Sequence, residues 1–268
     1  MNKILIFIPM YNCEKQIPRV IDRIAARGEA QQRFAGVRVV DNRSRDGSVR
    51  AASEAIGKLS IPARVVQNRE NYSLGGSHKV AFGLALEEGY DAVAVLHGDD
   101  QGDIADLLPY LSLLEENDSV LGSRFAKGAR LTNYSGFRIF GNRVFNVLVS
   151  VCAGRRITDL GAGLNLYRAD YLRSRFYLPF PNDLTFNVYL LLYGVYSGSR
   201  FCFFPLSWRE EDQVSNAKLF AQTRRMLGLL AQYVFARKRL FAQTDNRYTR
   251  IDYRCDTVAE HLPEASHA

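Results

Sequence analysis

The sequence predicts an α/β protein with an open, Rossmann-like and mostly parallel sheet that carries helices on both faces. Two observations lead to this fold class: short apolar runs alternate with helical patterns through the first half of the chain, and polar or glycine residues follow the apolar runs. The chain has 268 residues, 47% of them hydrophobic and 24% charged, an ordinary composition for a folded protein with a sizeable core. A disordered chain is therefore not expected.

Five apolar runs are expected to form the strands, and four segments between them have the spacing of helices. The strands are predicted at residues 3–9, 37–41, 63–68, 91–97 and 119–125. The helices are predicted near residues 14–27, 46–58, 75–88 and 103–116. In an open sheet of this kind the ligand binds outside the carboxyl ends of the strands, so the residues that follow each strand are expected to meet at one site.

The first two strand ends carry polar residues that suit a ligand. Pro9, Tyr11 and Asn12 follow the first strand. Asp41 closes the second strand, where its carboxylate can accept hydrogen bonds from a ribose or a nucleobase. Asp46 and Ser48, further along the same loop, are explained by capping of the next helix. Ligand contact is therefore predicted for Asp41 and not for these two.

The third strand end leads into a pair of glycines, Gly75 and Gly76, where a helix begins. Backbone N–H groups at a helix N-terminus suit a phosphate, and glycine permits its close approach, although a tight turn explains the pair equally well. Lys79 follows them and completes the candidate ligand-binding set of this segment. The segment is not a P-loop, because the first glycine of that motif is missing and no serine or threonine follows the lysine.

The fourth strand end, "LHGDDQGD", predicts a metal-binding turn. His97, Asp99 and Gln101 alternate, so in an extended turn their side chains can point to one side. Imidazole nitrogen, carboxylate oxygen and amide oxygen can together hold a divalent cation, with a nucleotide diphosphate supplying further oxygens. Asp103 stands where a helix N-cap belongs, and we interpret it as that cap.

A later loop holds one more candidate, Asp159, among small residues in the stretch "TDLGAG". A buried carboxylate there could act as a general base or orient an acceptor. A carboxylate that only caps the loop would look the same in sequence, so both interpretations stay open.

Two segments hold the basic excess behind the net charge of +7. Residues 217–241 carry six basic side chains and residues 133–157 carry four, with no acidic side chain in either. Both segments also carry Phe, Leu and Val at near-helical spacing, which suits helices on an anionic membrane surface. Helices packed on the domain with a solvated basic face are an equal alternative. Nucleic acid is not an expected partner, because no signature of a nucleic-acid-binding fold accompanies the charge.

The cellular location is predicted to be cytoplasmic, peripheral on the inner face of the cell membrane. The four cysteines are widely scattered, without a C-x-x-C pair or a zinc spacing, and are expected to be reduced thiols. The first apolar run is too short for a signal peptide. The longest apolar stretches, around residues 144–153 and 186–195, fall short of the roughly 20 residues that span a bilayer.

The ordered motifs resemble a known family. "IFIPMYNCEKQI" resembles the opening "I-P-x-Y-N-E-E-x-x-I" of the inverting nucleotide-sugar glycosyltransferases with the GT-A fold, family 2 type. "VRVVDNRSRDGS" resembles their "V-D-D-x-S-x-D-G-T", and "LHGDDQGD" their "D-A-D-x-Q". "GSRF", Ser135, Arg138 and "ITDLGAGLNLYRADYL" look closest to the dolichyl- and polyprenyl-phosphate sugar transferase branch. The likeness covers about residues 3–175.

The resemblance implies a function. A nucleotide-sugar donor would lie against the loops after the first three strands, and Mg²⁺ or Mn²⁺ would bridge its diphosphate. Arg124 and Arg138 would hold an acceptor-lipid phosphate, and Asp159 would be the candidate base or acceptor-site carboxylate. One in-line displacement would transfer the sugar and invert the anomeric configuration. Arg209, Lys218 and Asp183 are further candidates in places where relatives carry functional residues.

The chain departs from the family pattern in three donor-side motifs and in the acceptor loop. His97 replaces the first Asp of D-x-D, Cys13 replaces a Glu, and Asn42 replaces the second Asp of the nucleotide loop. Imidazole suits Mn²⁺ better than Mg²⁺, so the metal preference stays open. In the acceptor loop, Leu164 and Asn165 replace the usual Phe-Arg. A soluble saccharide acceptor, or a non-catalytic nucleotide-sugar-binding protein, therefore stays an alternative.

The predicted organisation has three parts: a catalytic domain at residues 1–215 with an amphipathic insertion about 135–155, a basic amphipathic helix at 216–242, and a loosely ordered tail at 243–268. Homo-oligomerisation is left open.

Overall fold

The computed structural model describes residues 3–211, 219–242 and 246–263. The strands are β1 (Ile4–Met10), β2 (Gly36–Asp41), β3 (Ala63–Asn68), β4 (Ala92–Leu96), β5 (Ser119–Ser123), β6 (Arg130–Thr132), β7 (Leu164–Arg168), β8 (Phe201–Pro205), β9 (Ser207–Arg209) and β10 (Cys255–His261). The helices are α1 (Ile17–Ala25), α2 (Gly28–Arg33), α3 (Ser48–Ala55), α4 (Ser73–Glu87), α5 (Gly136–Ala153), α6 (Ala169–Leu172), α7 (Phe186–Tyr196) and α8 (Leu219–Phe241).

Eight strands form one sheet in the order β10-β3-β2-β1-β4-β7-β5-β8. The central strands β3, β2, β1 and β4 are parallel, whereas β7 runs antiparallel to both of its neighbours. All seven residues of β1 are buried, because side chains from both faces of the sheet are covered by helices. The predicted α/β fold with a mostly parallel sheet is confirmed, and all five predicted strands form with small shifts at their ends.

The segment at residues 103–116 is helical, but it is not the α-helix that the sequence pattern predicts. It consists of two 3₁₀ segments, Ile104–Asp106 and Leu108–Glu115. Pro109 stands at the start of the second segment, and its ring lacks an N–H and clashes with the carbonyl four residues earlier. A continuous α-helix through this stretch is therefore disfavoured.

The prediction of a loosely ordered tail is wrong for residues 255–261, which form β10. This strand pairs antiparallel with β3 at the edge of the sheet, and Arg64 contacts Glu260 while Arg69 contacts Asp256 across the pair. As an edge strand it is mostly exposed, so it lacks the apolar alternation from which strands are predicted. Residues 243–245 and 264–268, and the domain boundary near residue 215, lie outside the described residues.

Most of each described basic segment is helical. The insertion predicted near 135–155 is the helix α5, and the predicted basic helix is α8 from residue 219, which contacts α5 and bends at Ala236. In the described ranges, no helix combines the length and the apolar character needed to cross a bilayer.

Candidate functional site

The ends of β1, β2 and β4 lie side by side. Met10 is paired with Asp41 across β1 and β2, and the amide of Asn42 donates to the carbonyl of Met10 at 2.9 Å. On the other side of β1, the amide of Gly98 donates to the carbonyl of Pro9 at 3.1 Å. The residues that follow these strands are thus brought to one edge, as the parallel topology requires.

The loops after β1 and β2 brace each other. The buried carboxylate of Asp41 accepts hydrogen bonds from the amide of Ser44 at 3.2 Å and from Gln67 Nε2 at 2.8 Å. Asn12, in a left-handed conformation with φ 52°, donates its amide to Ser44 Oγ and accepts from the amide of Arg45, both at 2.9 Å. The side chain of Tyr11 beside them is 38% exposed, so its ring is open to a ligand.

Asn42, one of the departures from the family pattern, has a structural explanation. Its Oδ1 accepts from Asn68 Nδ2 at 3.1 Å and from the amide of Tyr72 at 2.8 Å. Its Nδ2 donates to Asn71 Oδ1 at 2.8 Å. An aspartate could not make the last bond because a carboxylate has no hydrogen to donate. The asparagine therefore joins the β2 loop to the start of α4.

Gly75 and Gly76 lie in the first turn of α4 and are packed against protein. A Cβ added to Gly75 would stand 2.7 Å from Phe186 Cβ, and one added to Gly76 would stand 2.3 Å from Tyr72 Cβ. The amide of Gly75 already donates to the carbonyl of Asn182 at 2.7 Å. Close packing thus explains the glycine pair, and the amide of Gly75 is engaged by protein instead of a phosphate.

Lys79 points into the interior of the protein, whereas the sequence predicts that it contacts the nucleotide-sugar donor. Its ammonium lies 2.9 Å from the carbonyl oxygen of Leu178, 2.6 Å from that of Phe180 and 2.7 Å from Asn182 Oδ1. These three oxygens match the three N–H donors of a charged lysine. Burial lowers the pKa of Lys79 to about 7. The side chain ties α4 to the segment before α7 and, through Tyr253 at 3.1 Å, to the chain before β10.

The turn after β4 places its metal-type side chains in a buried environment. Burial raises the pKa of Asp99 to about 6, and its Oδ1 accepts a hydrogen bond from the amide of Gln101 at 3.2 Å. His97 packs directly on Gly163, where an added Cβ would stand 2.8 Å from the imidazole Cγ. Burial, followed by the positive charge of Arg124, lowers the pKa of His97 to about 4. The imidazole is therefore neutral at pH 7, the form that binds metals.

These residues fit a divalent cation that shares its ligands with a substrate. The buried Nε2 of His97 has no hydrogen-bond partner in the described structure, so this chain leaves it uncommitted. Across residues 3–211, 219–242 and 246–263, no three His, Cys, Asp or Glu side chains form a protein-only metal cage. Mg²⁺ in nucleotide sites is held by one or two carboxylates together with substrate phosphates, so Asp99, Gln101 and His97 suit such an open site. Asp103 caps the following 3₁₀ segment through the amide of Ala105 at 2.9 Å, as predicted.

Arg124 and Asp159, predicted separately, form a buried ion pair. The guanidinium donates to both carboxylate oxygens, at 2.8 Å and 2.7 Å, and the backbone amide of Arg124 adds a bond of 2.9 Å. The amide of Gly161 also donates to Asp159 at 3.1 Å. Burial alone lowers the pKa of Arg124, but the charge and hydrogen bonds of Asp159 outweigh it and raise that pKa. Asp159 thus orients Arg124 and has no oxygen left uncommitted for the role of a base.

Arg138 faces the same region. Its Nη1 contacts both carboxylate oxygens of Glu210, at 2.5 Å and 2.7 Å. The guanidinium carbons of Arg138 and Arg124 lie 4.9 Å and 5.9 Å from the centroid of the Tyr134 ring, and Trp208 lies 5.2 Å from Arg124. Sequence reasoning gave no role to Tyr134 or Trp208, although aromatic residues beside arginines are a signal for cation–π packing.

The remaining candidates have local roles or lie outside the described residues. Asp183 accepts from the amide of Thr185 at 2.9 Å in the turn before α7, whose N-cap residue is Thr185, and pairs with Arg225 at 3.1 Å. Arg209 contacts Asp100, whose carboxylate also meets Arg19 and Arg23. Lys218 is not among the described residues.

The mostly parallel sheet flanked by helices is the arrangement of the GT-A fold. Residues 5–176 match glycosyl transferase family 2, and the chain belongs to this family. The motifs by which the sequence resembles that family lie in the matched span.

Curated relatives in the family are about a quarter identical to this chain over the aligned residues. An undecaprenyl-phosphate mannosyltransferase from Micrococcus luteus is 28% identical over 177 residues, 64% of this chain and 69% of the relative. A polyprenol monophosphomannose synthase from Mycolicibacterium smegmatis is 27% identical over 65% of this chain and 64% of the relative. An undecaprenyl-phosphate 4-deoxy-4-formamido-L-arabinose transferase from Proteus mirabilis is 26% identical over 62% of this chain, which spans about half of that relative, 49%.

Solved structures share the fold. Glucosyl-3-phosphoglycerate synthase from Mycobacterium tuberculosis, in complex with UDP, is similar with a TM-score of 0.62 and 18% identity, over 87% of this chain and 80% of that one. The same enzyme with Mn²⁺, UDP and glucosyl-3-phosphoglycerate has a TM-score of 0.60 at 17% identity, covering 98% and 90% of the two chains.

Proposed function

We propose that this glycosyltransferase moves a sugar from a nucleotide-sugar donor to the phosphate of a polyprenyl lipid, with inversion and with the help of Mg²⁺ or Mn²⁺, at a membrane surface. The observation that carries the acceptor assignment is the packing of two guanidiniums, Arg124 and Arg138, around the ring of Tyr134. A guanidinium can hold a phosphate through two parallel N–H···O bonds, which makes arginine well suited to phosphate recognition. The names of the relatives, all polyprenyl- or undecaprenyl-phosphate enzymes, support the same acceptor class.

The donor side of the proposal rests on the loops after β1 and β2. The exposed ring of Tyr11 can stack on a base, while Asp41 and Asn12 hold the two loops in place. A divalent cation bound by Asp99, Gln101 and His97 would neutralise charge on the departing diphosphate. The similar synthase from M. tuberculosis was solved with Mn²⁺ and UDP, which supports a divalent cation beside the nucleotide.

The acceptor side needs little acid–base chemistry. A phosphate monoester has its second pKa near 6, so its oxygens already carry about two negative charges at pH 7. One of these oxygens would form a bond to the anomeric carbon as the bond from that carbon to the diphosphate breaks, and the nucleoside diphosphate leaves. Since no proton has to be removed, Asp159 is free to orient Arg124, as its hydrogen bonds indicate.

The proposed membrane contact is an apolar face on α5 and α8. Its largest exposed side chains are Phe137 at 81%, Phe140 at 67%, Val151 at 75% and Phe235 at 88%. Soluble surfaces seldom expose so many large apolar side chains together. Exposed arginines such as Arg143 flank this apolar helix face, which suits the interface of an anionic bilayer.

Replacing Phe137 and Phe140 by serine together is expected to release the protein from liposomes that contain anionic lipid, since insertion of the two rings is lost. At about 25 cal/mol per Å² and 150–250 Å² per aromatic side chain, complete burial of the two rings corresponds to about 7–12 kcal/mol. Loss of even half of this would weaken binding by more than about two orders of magnitude. Flotation through a density gradient measures it. A matched control is Leu113→Ser, an exposed apolar residue outside α5 and α8. Equal flotation of the double variant and the wild type would reject this surface.

Direct assay tests the function. Purified protein is incubated with Mn²⁺ or Mg²⁺, UDP- and GDP-sugars and undecaprenyl phosphate. The lipid should become labelled with the sugar and keep the label after the free nucleotides are removed. The expected result is transfer that requires both the metal and the lipid phosphate. Nucleotide binding without transfer from any donor, with or without metal, would contradict the proposal.

A second candidate, transfer to an uncharged saccharide, is favoured by one contact. Glu210 occupies Arg138, so an acceptor phosphate would have to displace a carboxylate. In the same assay this candidate predicts that a soluble oligosaccharide becomes labelled and undecaprenyl phosphate does not.

A further inference from the structure

Asp100 is a buried carboxylate surrounded by arginines. Its side chain is 1% exposed. Arg19 Nε lies 2.8 Å from Oδ2, Arg23 Nη1 lies 2.5 Å from Oδ1, and Arg209 Nη2 lies 3.7 Å from Oδ1. Arg209 also donates its Nε to the backbone carbonyl of Asp100 at 2.9 Å. Burying a charged carboxylate is costly unless it is paired and hydrogen-bonded.

The three arginines come from separate parts of the fold. Arg19 and Arg23 lie on α1, which follows the loop after β1, and Arg209 ends β9 on the acceptor side. The backbone of Arg209 also donates to the carbonyl of Gln101 at 3.1 Å. Asp100 thus joins α1, the turn after β4 and the second, small sheet at one point.

The backbone of the turn depends on this arrangement. Asp100 has φ 63°, a left-handed conformation that is unfavourable for a residue with a Cβ unless its surroundings hold it. Its neighbours in the chain are Asp99 and Gln101, the residues assigned to the metal. The family pattern D-A-D-x-Q leaves the position of Asp100 open, so family membership assigns it no role.

We propose that Asp100 is a positioning residue: its ion pairs with Arg19, Arg23 and Arg209 fix the turn 98–102, and with it the orientation of Asp99 and Gln101 toward the donor diphosphate. The expected effect of Asp100 on donor binding rests on the proposed function. The geometry of the turn itself does not depend on that function.

The test replaces one carboxylate by an amide of equal size, Asp100→Asn. The matched control is Asp103→Asn, three residues away, where the carboxylate pairs with the partly exposed Arg27 and where asparagine can still cap the 3₁₀ segment. Two measurements are made on the full chain: amide hydrogen exchange of residues 97–103 without ligand, and affinity for UDP with Mn²⁺ by calorimetry.

Asp100→Asn is expected to speed exchange in residues 97–103 relative to the rest of the protein and to weaken UDP·Mn²⁺ binding about 10- to 100-fold, as when a group that orients metal ligands is lost. The control variant Asp103→Asn should change neither the exchange of residues 97–103 nor the affinity for UDP·Mn²⁺. A purely structural role would lower the unfolding midpoint without a local change in exchange, and unchanged exchange at 97–103 in folded Asp100→Asn would overturn the proposal.

Two further outcomes of these measurements also test the role of Asp100. If Asp100→Asn does not fold, Arg23→Gln, which leaves Arg19 and Arg209 on the carboxylate, must show the same local exchange at smaller amplitude, and its absence rejects the inference. If the wild type binds no UDP and transfers no sugar, the proposed function fails, but the exchange measurement without ligand still decides the role of Asp100.

Discussion

Asp99→Asn is expected to lower kcat for sugar transfer about a thousandfold or more. The amide keeps the size of the side chain and can still accept the bond from the amide of Gln101, but it removes the negative charge that the metal requires. Loss of a metal that stabilises a departing diphosphate costs several kcal/mol in the transition state, and about 4 kcal/mol is a thousandfold in rate. Initial rates of lipid labelling at saturating donor measure it.

Asp103→Asn serves again as the control, because Asp103 lies in the same turn and carries no assigned role in transfer. Its rate should stay within about twofold of the wild type, since a helix cap survives this exchange. Activity of Asp99→Asn within tenfold of the wild type would contradict the assignment of Asp99 to the metal.

Lys79→Met is expected to lower the free energy of unfolding by about 3 kcal/mol. The substitution keeps most of the apolar side chain but leaves the backbone carbonyls of Leu178 and Phe180 without this donor, whereas Asn182 Oδ1 keeps the bond from the Tyr253 hydroxyl. Each buried oxygen left unsatisfied costs about 1–3 kcal/mol. The centroids of the Tyr248 and Tyr253 rings lie 5.0 Å and 4.9 Å from the ammonium, so their contact with the cation is lost too. Urea unfolding measures the change.

The same variant should loosen the segment before β10 first, because Lys79 contacts Tyr253. Limited proteolysis in native buffer is expected to cut near residues 246–254 faster than in the wild type. Lys127→Met is the matched control, since Lys127 is exposed, and it should leave both measurements unchanged. A variant at Lys79 as stable as this control would show that the buried ammonium contributes nothing net.

The sheet and the convergence of strand ends could be predicted because both follow from local patterns. A buried parallel strand such as β1 is a continuous apolar run, and the polar residue after it marks its end. The cap at Asp103 follows from its position before the 3₁₀ segment. Each of these signals lies within a few residues of the feature that it predicts.

The parts that sequence reasoning missed depend on partners far apart in the chain. Nothing near Asp100 indicates that Arg19 and Arg209 will meet it, because 81 and 109 residues separate them from it. Lys79 looked like a phosphate ligand because it follows two glycines, but its oxygen partners lie about 100 residues away. The pairing of Arg124 with Asp159 was hidden in the same way, so the two were assigned separate roles.

The edge position of β10 has a consequence for handling the protein. On its other side β3 is hydrogen-bonded to β2, so removing residues after 254 would bare a row of unpaired amides and carbonyls along β3. Bare edges of this kind recruit strands from other molecules. A shortened version would thus be prone to self-association in solution even if its catalytic loops were intact. For the same reason an affinity tag is better joined through a spacer than placed directly after His261, the last residue of β10.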